Sequence, residues 1–161
     1  MKRVLLLLSF VMCCVATLFA KADVTLKSGL LSKLKSSNAK VYVVWDYSHA
    51  TLEGQEVKAF LKEKGPDWTR DYKSEIARSE QNFMERFNEK TKSVKITDKK
   101  SEADYTIVIE VKDFHYGSTG VSVLIGFGAG DAHMHALMTF YEKNVKQPFA
   151  VIDVDGVAGA G

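Results

Sequence analysis

The sequence predicts an α/β (α+β) fold, in which a mixed, largely antiparallel sheet of about four to five strands carries two or three packed helices. Two segments, 40–48 and 103–116, are rich in β-branched and aromatic residues, which is typical of strands. A third segment, 69–90, repeats its apolar residues every three or four positions, as a helix does when one side packs on a sheet. Strands and a long amphipathic helix in one short chain therefore indicate two layers around one core.

The amino terminus has the pattern of a secretory signal peptide. Two basic residues precede an apolar run at 4–19, and Ala20 and Ala22 offer small side chains where signal peptidase cleaves. This run is shorter than the roughly 20 residues that a transmembrane helix needs. We therefore expect cleavage near Ala22, export to the periplasm or the extracellular space, a single domain at 23–161 and no integral membrane span after processing.

Cysteine and charge content exclude several classes of function. Both cysteines, Cys13 and Cys14, lie in the predicted signal peptide, and neither has the sequence context of a lipid-attachment site. The mature domain is thus expected to have no disulfide, thiolate nucleophile or soft metal site. The signal peptide contains three basic residues and no acidic one, so its removal brings a net charge of +2 close to zero. The basic pI of the whole chain thus belongs largely to the precursor and gives no support for binding to nucleic acid, which we do not expect as a partner.

The spacing of apolar residues predicts the first secondary-structure elements of the mature chain. The segment 23–40 places leucines at helical spacing, weakened by Gly29, and is expected to lay them on the domain surface. The strand at 40–48 alternates, which predicts Val41 and its alternate neighbours on one face. The polar residues at its carboxyl end either bind a ligand or cap the next loop: Asp46, Ser48 and His49.

Two helices are predicted next. The first, 53–64, ends at Gly65-Pro66, a strong helix terminator. Trp68 in the linker is expected to pack over the core, and carbohydrate stacking is the alternative. The second helix, 69–90, turns an apolar stripe to the sheet, and its other sides carry the mixed charge of a solvated surface.

The strands of the second half complete the predicted sheet. A short strand at 94–97 and a polar turn lead into the strand at 103–116, whose alternation predicts one covered face. A glycine-bounded loop follows, and 121–127 is expected to return antiparallel to that strand.

The last predicted strand is 149–157. Asp153 and Asp155 share one of its faces, and we interpret them as exposed edge charges that discourage association between sheets. A domain of this class is expected to cover its sheet with one more helix after this strand. Two alternatives stay open: the last glycines form a flexible tail, or the covering carboxy-terminal helix is absent from the sequence given.

The glycine-rich segment 126–130, GFGAG, does not meet the requirements of a phosphate-binding loop. A dinucleotide loop needs different glycine spacing, and a nucleoside-triphosphate loop needs a lysine followed by serine or threonine. The residues after it alternate between apolar and polar, which predicts a strand with a glycine bend or bulge.

On such a strand Asp131, His133 and His135 project from one side, at a spacing that lets two imidazoles and a carboxylate approach one cation. This is the candidate metal site of the sequence, for zinc or copper, and a complete ligand set would need His115 or His49 brought in by the fold. The sequence contains neither a nucleophile elbow nor a zinc-protease motif, and we predict no catalytic and no cofactor-binding residues.

Several of these segments together form a recognisable pattern: KVYVVWDYS, a helix ending in MERFNEK, ADYTIVIEVKDF, and a glycine-rich strand with GAGDA. The chain resembles uncharacterised secreted proteins of Bacteroidetes-type bacteria. It is more distantly similar to envelope domains with the fold of the TolB amino-terminal domain and of the curli-secretion lipoprotein CsgG. The resemblance implies a mixed sheet with helices packed on it and a non-enzymatic, envelope-facing role.

These observations predict an exported, non-enzymatic bacterial domain that binds another envelope protein or helps its assembly. Two alternatives remain open. One is a metal-binding periplasmic protein that uses Asp131, His133 and His135. The other is a glycan-binding or hydrolytic envelope protein, for which Trp68, Asp153 and Asp155 are the candidates.

Overall fold

The strands of the chain form one mixed sheet in the computed structural model, which describes residues 21–35, 38–115 and 133–157. The order of the main strands across the sheet is β1-β8-β7-β6-β2-β5, and β3 and β4 form a small hairpin attached to β6. The strands in chain order are β1 (Lys21–Gly29), β2 (Ala39–Asp46), β3 (Thr51–Leu52), β4 (Gln55–Glu56), β5 (Val94–Ile96), β6 (Tyr105–His115), β7 (His133–Glu142) and β8 (Ala150–Val157).

The predicted fold class is confirmed, but the predicted number of strands is wrong. The described residues form eight strands, and most of the pairings between the long ones are antiparallel. One unpredicted strand is β1, which lies where leucine spacing predicted a helix. Val24 and Leu26 alternate with polar residues, and both pack against the core once β1 pairs with β8. Leu31 and Leu34 then lie buried on a 3-10 helix at Leu31–Lys35.

Two α-helices connect β2 to β5, which run parallel to each other. They are α1 (Val57–Lys64) and α2 (Pro66–Lys90), and Gly65 with a φ of 100° separates them, as the Gly65-Pro66 pair predicts. α1 begins later than expected because the β3–β4 hairpin occupies the preceding residues. Glu53 and Gly54 both have positive φ in the turn of this hairpin, which is typical of a two-residue β-turn.

Both helices lie on the same face of the sheet, the core face. Phe83 of α2 packs edge-on against Trp45 of β2, with ring centroids 5.3 Å apart. Phe60 and Leu61 of α1 are buried in the core cluster. Trp68 packs edge-on against Phe60 at 5.9 Å, so the predicted packing over the core is correct, although Trp68 lies in the first turn of α2.

The opposite face carries neither of these helices. Strand alternation turns a second set of apolar side chains there, and none of them belongs to the core cluster or packs against it. They are partly exposed, and we call this surface the helix-free face. Its apolar residues are Tyr42, Val44, Val108, Leu137, Tyr141 and Val151.

A β-bulge in β6 decides what lies at one end of the helix-free face. The register with β7 shifts between Val111 and Asp113, so Lys112 is the extra residue. Phe114 therefore remains on the core face, where it is buried, and Asp113 and His115 are turned to the helix-free face.

The interpretation of Asp153 and Asp155 as edge charges is wrong. β8 is an inner strand, paired on one side with β7 and on the other with β1. Because the edge is β1, Asp153 has side-chain partners on both neighbouring strands, Lys27 and His135, and Asp155 is paired with His133 of β7.

Some predictions fall outside the described residues, among them most of the signal peptide and the returning strand at 121–127. Lys21 and Ala22, next to the predicted cleavage site, pair with Val157 and Gly156 at the start of β1. In the described part of the chain, the helices are too short or too polar to cross a membrane.

Candidate functional site: a histidine and carboxylate cluster

Three of the four histidines gather at one end of the helix-free face. His115 on β6 lies directly opposite His133 on β7, and Asp113 lies opposite His135. His135 in turn lies opposite Asp155 on β8. Because side chains two apart on a strand share a face, these residues form a compact patch across three strands.

Each histidine of β7 is bonded to a carboxylate of β8. The Nε2 atom of His133 lies 2.7 Å from Oδ1 of Asp155, and Nε2 of His135 lies 2.8 Å from Oδ1 of Asp153. Both contacts run diagonally between the strands, a distance that long side chains can span. Since a carboxylate only accepts hydrogen bonds, Nε2 carries the proton, and Nδ1 of the neutral ring is left unprotonated.

His115 contacts carboxylates through both ring nitrogens. Its Nε2 lies 2.5 Å from Oδ2 of Asp113, and its Nδ1 lies 3.3 Å from Oε2 of Glu53. Asp113 also accepts a hydrogen bond from the hydroxyl of Thr51, which holds the carboxylate in place. The β3–β4 hairpin thus supplies part of the cluster, because it pairs with the end of β6.

A lysine on the edge strand completes the cluster. Nζ of Lys27 lies 2.8 Å from Oδ2 of Asp153, whose other oxygen bonds His135. The hydrogen bond from Lys27 is the main cause that lowers the pKa of Asp153, and His135 lowers it further. Asp153 is therefore a carboxylate held in its charged form between two donors.

The structure brings together part of the metal site that the sequence predicts. His133 and His135 share one side of β7 as expected, and His115 joins them, with its ring centroid 5.9 Å from that of His133. Asp131 lies outside the described residues. Among the described residues, no three His, Cys, Asp or Glu side chains are arranged to hold a metal ion in their present orientations.

The other candidate residues lie elsewhere. His49 is exposed in the loop after β2, and Oδ1 of Asp46 accepts a hydrogen bond from the backbone N–H of Ser48 at 2.9 Å. Asp46 therefore caps this loop, which is the structural alternative that the sequence allowed.

The sequence did not reveal Asp113, Glu53 and Lys27 as members of the cluster. Asp113 is recognisable only when the bulge at Lys112 is known, since simple alternation places it on the core face. Glu53 and Lys27 come from a hairpin and a strand that were predicted as helical. The visible signal was limited to the spacing of His133 and His135.

Comparison with known proteins gives a distant structural likeness. No protein-family model matches the chain, and no curated protein matches it. The chain is similar to the PelC dodecamer from Paraburkholderia phytofirmans in one crystal form, with 13% sequence identity and a TM-score of 0.41, over 86% of this chain and 83% of that one. A point variant of the same dodecamer in a second crystal form gives 13% identity and a TM-score of 0.42, over 86% and 84%. A likeness this distant carries no argument about function.

Proposed function

We propose that the protein is a non-enzymatic, exported, envelope-associated domain that binds another envelope protein through its helix-free face. One observation carries the proposal. The apolar side chains of this face lie outside the core cluster and are partly exposed, although the opposite face of the same sheet is covered by two helices. An apolar patch with a charged border is typical of a protein interaction site.

The helix-free face changes from apolar to charged side chains along the strands, and this change defines the chemistry of the expected partner. At one end Tyr42, Thr106 and Tyr141 lie in one row across three strands. The next row consists of Val44, Val108, Thr139 and Val151. The histidine and carboxylate cluster lies at the other end. A partner that fits this surface presents an apolar patch bordered on one side by charged and hydrogen-bonding groups.

The glycan-binding alternative loses support from the positions of its candidate residues. Trp68 packs against Phe60 instead of projecting as a platform for a sugar ring. Asp153 and Asp155 are engaged by His135 and His133.

Crosslinking in intact cells, followed by capture of the protein, tests the proposal. We expect the wild-type chain to capture a reproducible envelope protein and Leu137→Glu, which places a charge in the middle of the helix-free face, to lose it. The matched control is Val145→Glu, because Val145 is an exposed apolar residue in the turn after β7, outside the strands that form this face. Capture that is unchanged by Leu137→Glu would contradict the proposed surface.

A further inference from the structure

We infer that His115, His133 and His135 form a binding site for a divalent transition-metal cation, with zinc as the representative ion. The site differs from the sequence-based set, because His115 from the neighbouring strand takes the place of Asp131. The metal-binding inference does not rest on the protein-binding role proposed above, although the site lies at one end of the same face.

The first support is the arrangement of the three imidazoles. His133 and His135 are two apart on β7, and His115 lies opposite His133 on the antiparallel strand β6. Two imidazoles on one tetrahedral cation hold their ring centroids about 5–6 Å apart, given metal–nitrogen bonds of about 2.1 Å. The observed 5.9 Å between the ring centroids of His115 and His133 lies within this range.

The second support is the carboxylate behind each ring. Metal-binding histidines typically donate their second N–H to a carboxylate, which fixes the tautomer and makes the ligating nitrogen more basic. Here Nε2 of His133 faces Asp155, Nε2 of His135 faces Asp153, and Nε2 of His115 faces Asp113. In each ring, Nε2 is engaged by a carboxylate, so Nδ1 is the nitrogen that we assign as the metal ligand.

The third support is the solvent exposure of the three imidazole rings, which leaves their side-chain torsions free to change. The side chains of His115, His133 and His135 are 43%, 33% and 38% exposed, so a change of side-chain torsion needs no repacking of the core. To ligate a cation, Nδ1 of His115 must leave Glu53 and release to solvent the proton that it donates there; at 3.3 Å that contact is the longest of the cluster. The cation replaces the attraction of Glu53 and closes the three nitrogens around itself. The site requires this turn, because no set of three ligands among the described residues converges in the present orientations.

Zinc titration of the full chain tests this site, with protein prepared without an affinity tag or a chelator. We expect one zinc ion per chain by calorimetry and elemental analysis, and no binding of magnesium, because imidazole is a poor ligand for that hard cation. Single replacements His115→Asn, His133→Asn and His135→Asn are each expected to weaken zinc binding at least about tenfold, since even an outer carboxylate is typically worth about 10–100-fold.

Three controls keep the test decisive. His49→Asn removes an exposed histidine outside the cluster and should leave zinc affinity unchanged. Asp131→Asn should also leave it unchanged. Circular dichroism of each zinc-free variant should match the wild type, because the replaced side chains lie outside the core. The inference is overturned if the wild type takes up no stoichiometric zinc, if His115→Asn binds as the wild type does, or if Asp131→Asn loses as much affinity as His133→Asn.

Discussion

The two faces of the sheet are built from the same strands but carry different chemistry. On the core face, which carries both helices, Ile107, Val111, Phe140 and Ile152 are almost fully buried. On the helix-free face, the alternate residues of the same strands are partly exposed. One end of this face carries histidines that are paired with carboxylates. The difference shows that the core face contributes most of the apolar burial that stabilises the fold, and that the other face leaves polar and apolar groups partly exposed to solvent.

The largest expected effect on the free energy of unfolding comes from truncating one of two neighbouring residues of similar size on β7. Met138 is 4% exposed on the core face, and Leu137 is partly exposed on the helix-free face. We expect Met138→Ala to lower the free energy of unfolding by about 2–5 kcal/mol, because it leaves a cavity in the core. Leu137→Ala should cost about 1 kcal/mol or less, since its side chain buries less apolar area. Urea denaturation measures both, and equal losses would contradict the division between the faces.

The next effect concerns β1, which serves both faces: Val24 and Leu26 pack on the core, and Lys27 bonds Asp153. Gly29, at its end, has a φ of 79°, and an added Cβ would lie 1.9 Å from the carbonyl oxygen of Phe149. Left-handed strain costs about 1–2 kcal/mol, and overpacking adds about 1–3 kcal/mol. We therefore expect Gly29→Ala to lower the free energy of unfolding by roughly 2–5 kcal/mol.

Gly54 provides the matched control for Gly29. Its φ is 74°, but no atom lies within 4 Å of an added Cβ. Gly54→Ala should thus cost only the strain of about 1–2 kcal/mol in thermal or urea unfolding. If the two alanine variants unfold alike, β1 is not held against Phe149 as the structure shows.

The smallest effect concerns the ionic end of the helix-free face. Lys27 and His135 lower the pKa of Asp153 in the folded state, so its stabilising contribution is present above the unfolded value of about 3.8. This contribution is lost as pH falls through the lower, folded pKa. Near neutral pH we expect Asp153→Asn to cost about 0.5–1 kcal/mol, as partly exposed ion pairs do.

Unfolding free energies of the wild type and Asp153→Asn, measured from pH 7 to pH 2, check this prediction. The gap between the two proteins should be constant above about pH 5 and shrink below about pH 4. Asp98→Asn, which changes an exposed aspartate in the loop after β5, controls for the general loss of a negative charge. A gap that widens toward low pH would contradict the ion pair.

The core face could be predicted from the sequence more fully than the candidate site. Alternation in β2, β6 and β7 identifies their buried residues, and it places His133 and His135 on one side. The cluster depends on register, which alternation does not determine. His115 and Asp113 reach the helix-free face only because the bulge at Lys112 adds one residue to β6.

The amino-terminal strand shows a second limit. The spacing of its leucines fits a helix, and it fits equally well a strand that is followed by a 3-10 helix. The pairing of β1 with β8 decides between these two structures. That pairing also makes β8 an inner strand. On the other side of β8, the pairing with β7 makes Asp153 and Asp155 partners of histidines, which no local pattern indicates.

The central claim, that binding takes place on the helix-free face, is tested most directly by a photocrosslinking side chain placed at Leu137 or at Arg78. Leu137 lies in the middle of this face, and Arg78 is exposed on the outer side of α2. On irradiation of whole cells, the account predicts one defined adduct with an envelope protein from position 137 and none from position 78. An adduct from position 78 alone, or equal adducts from both, would contradict it.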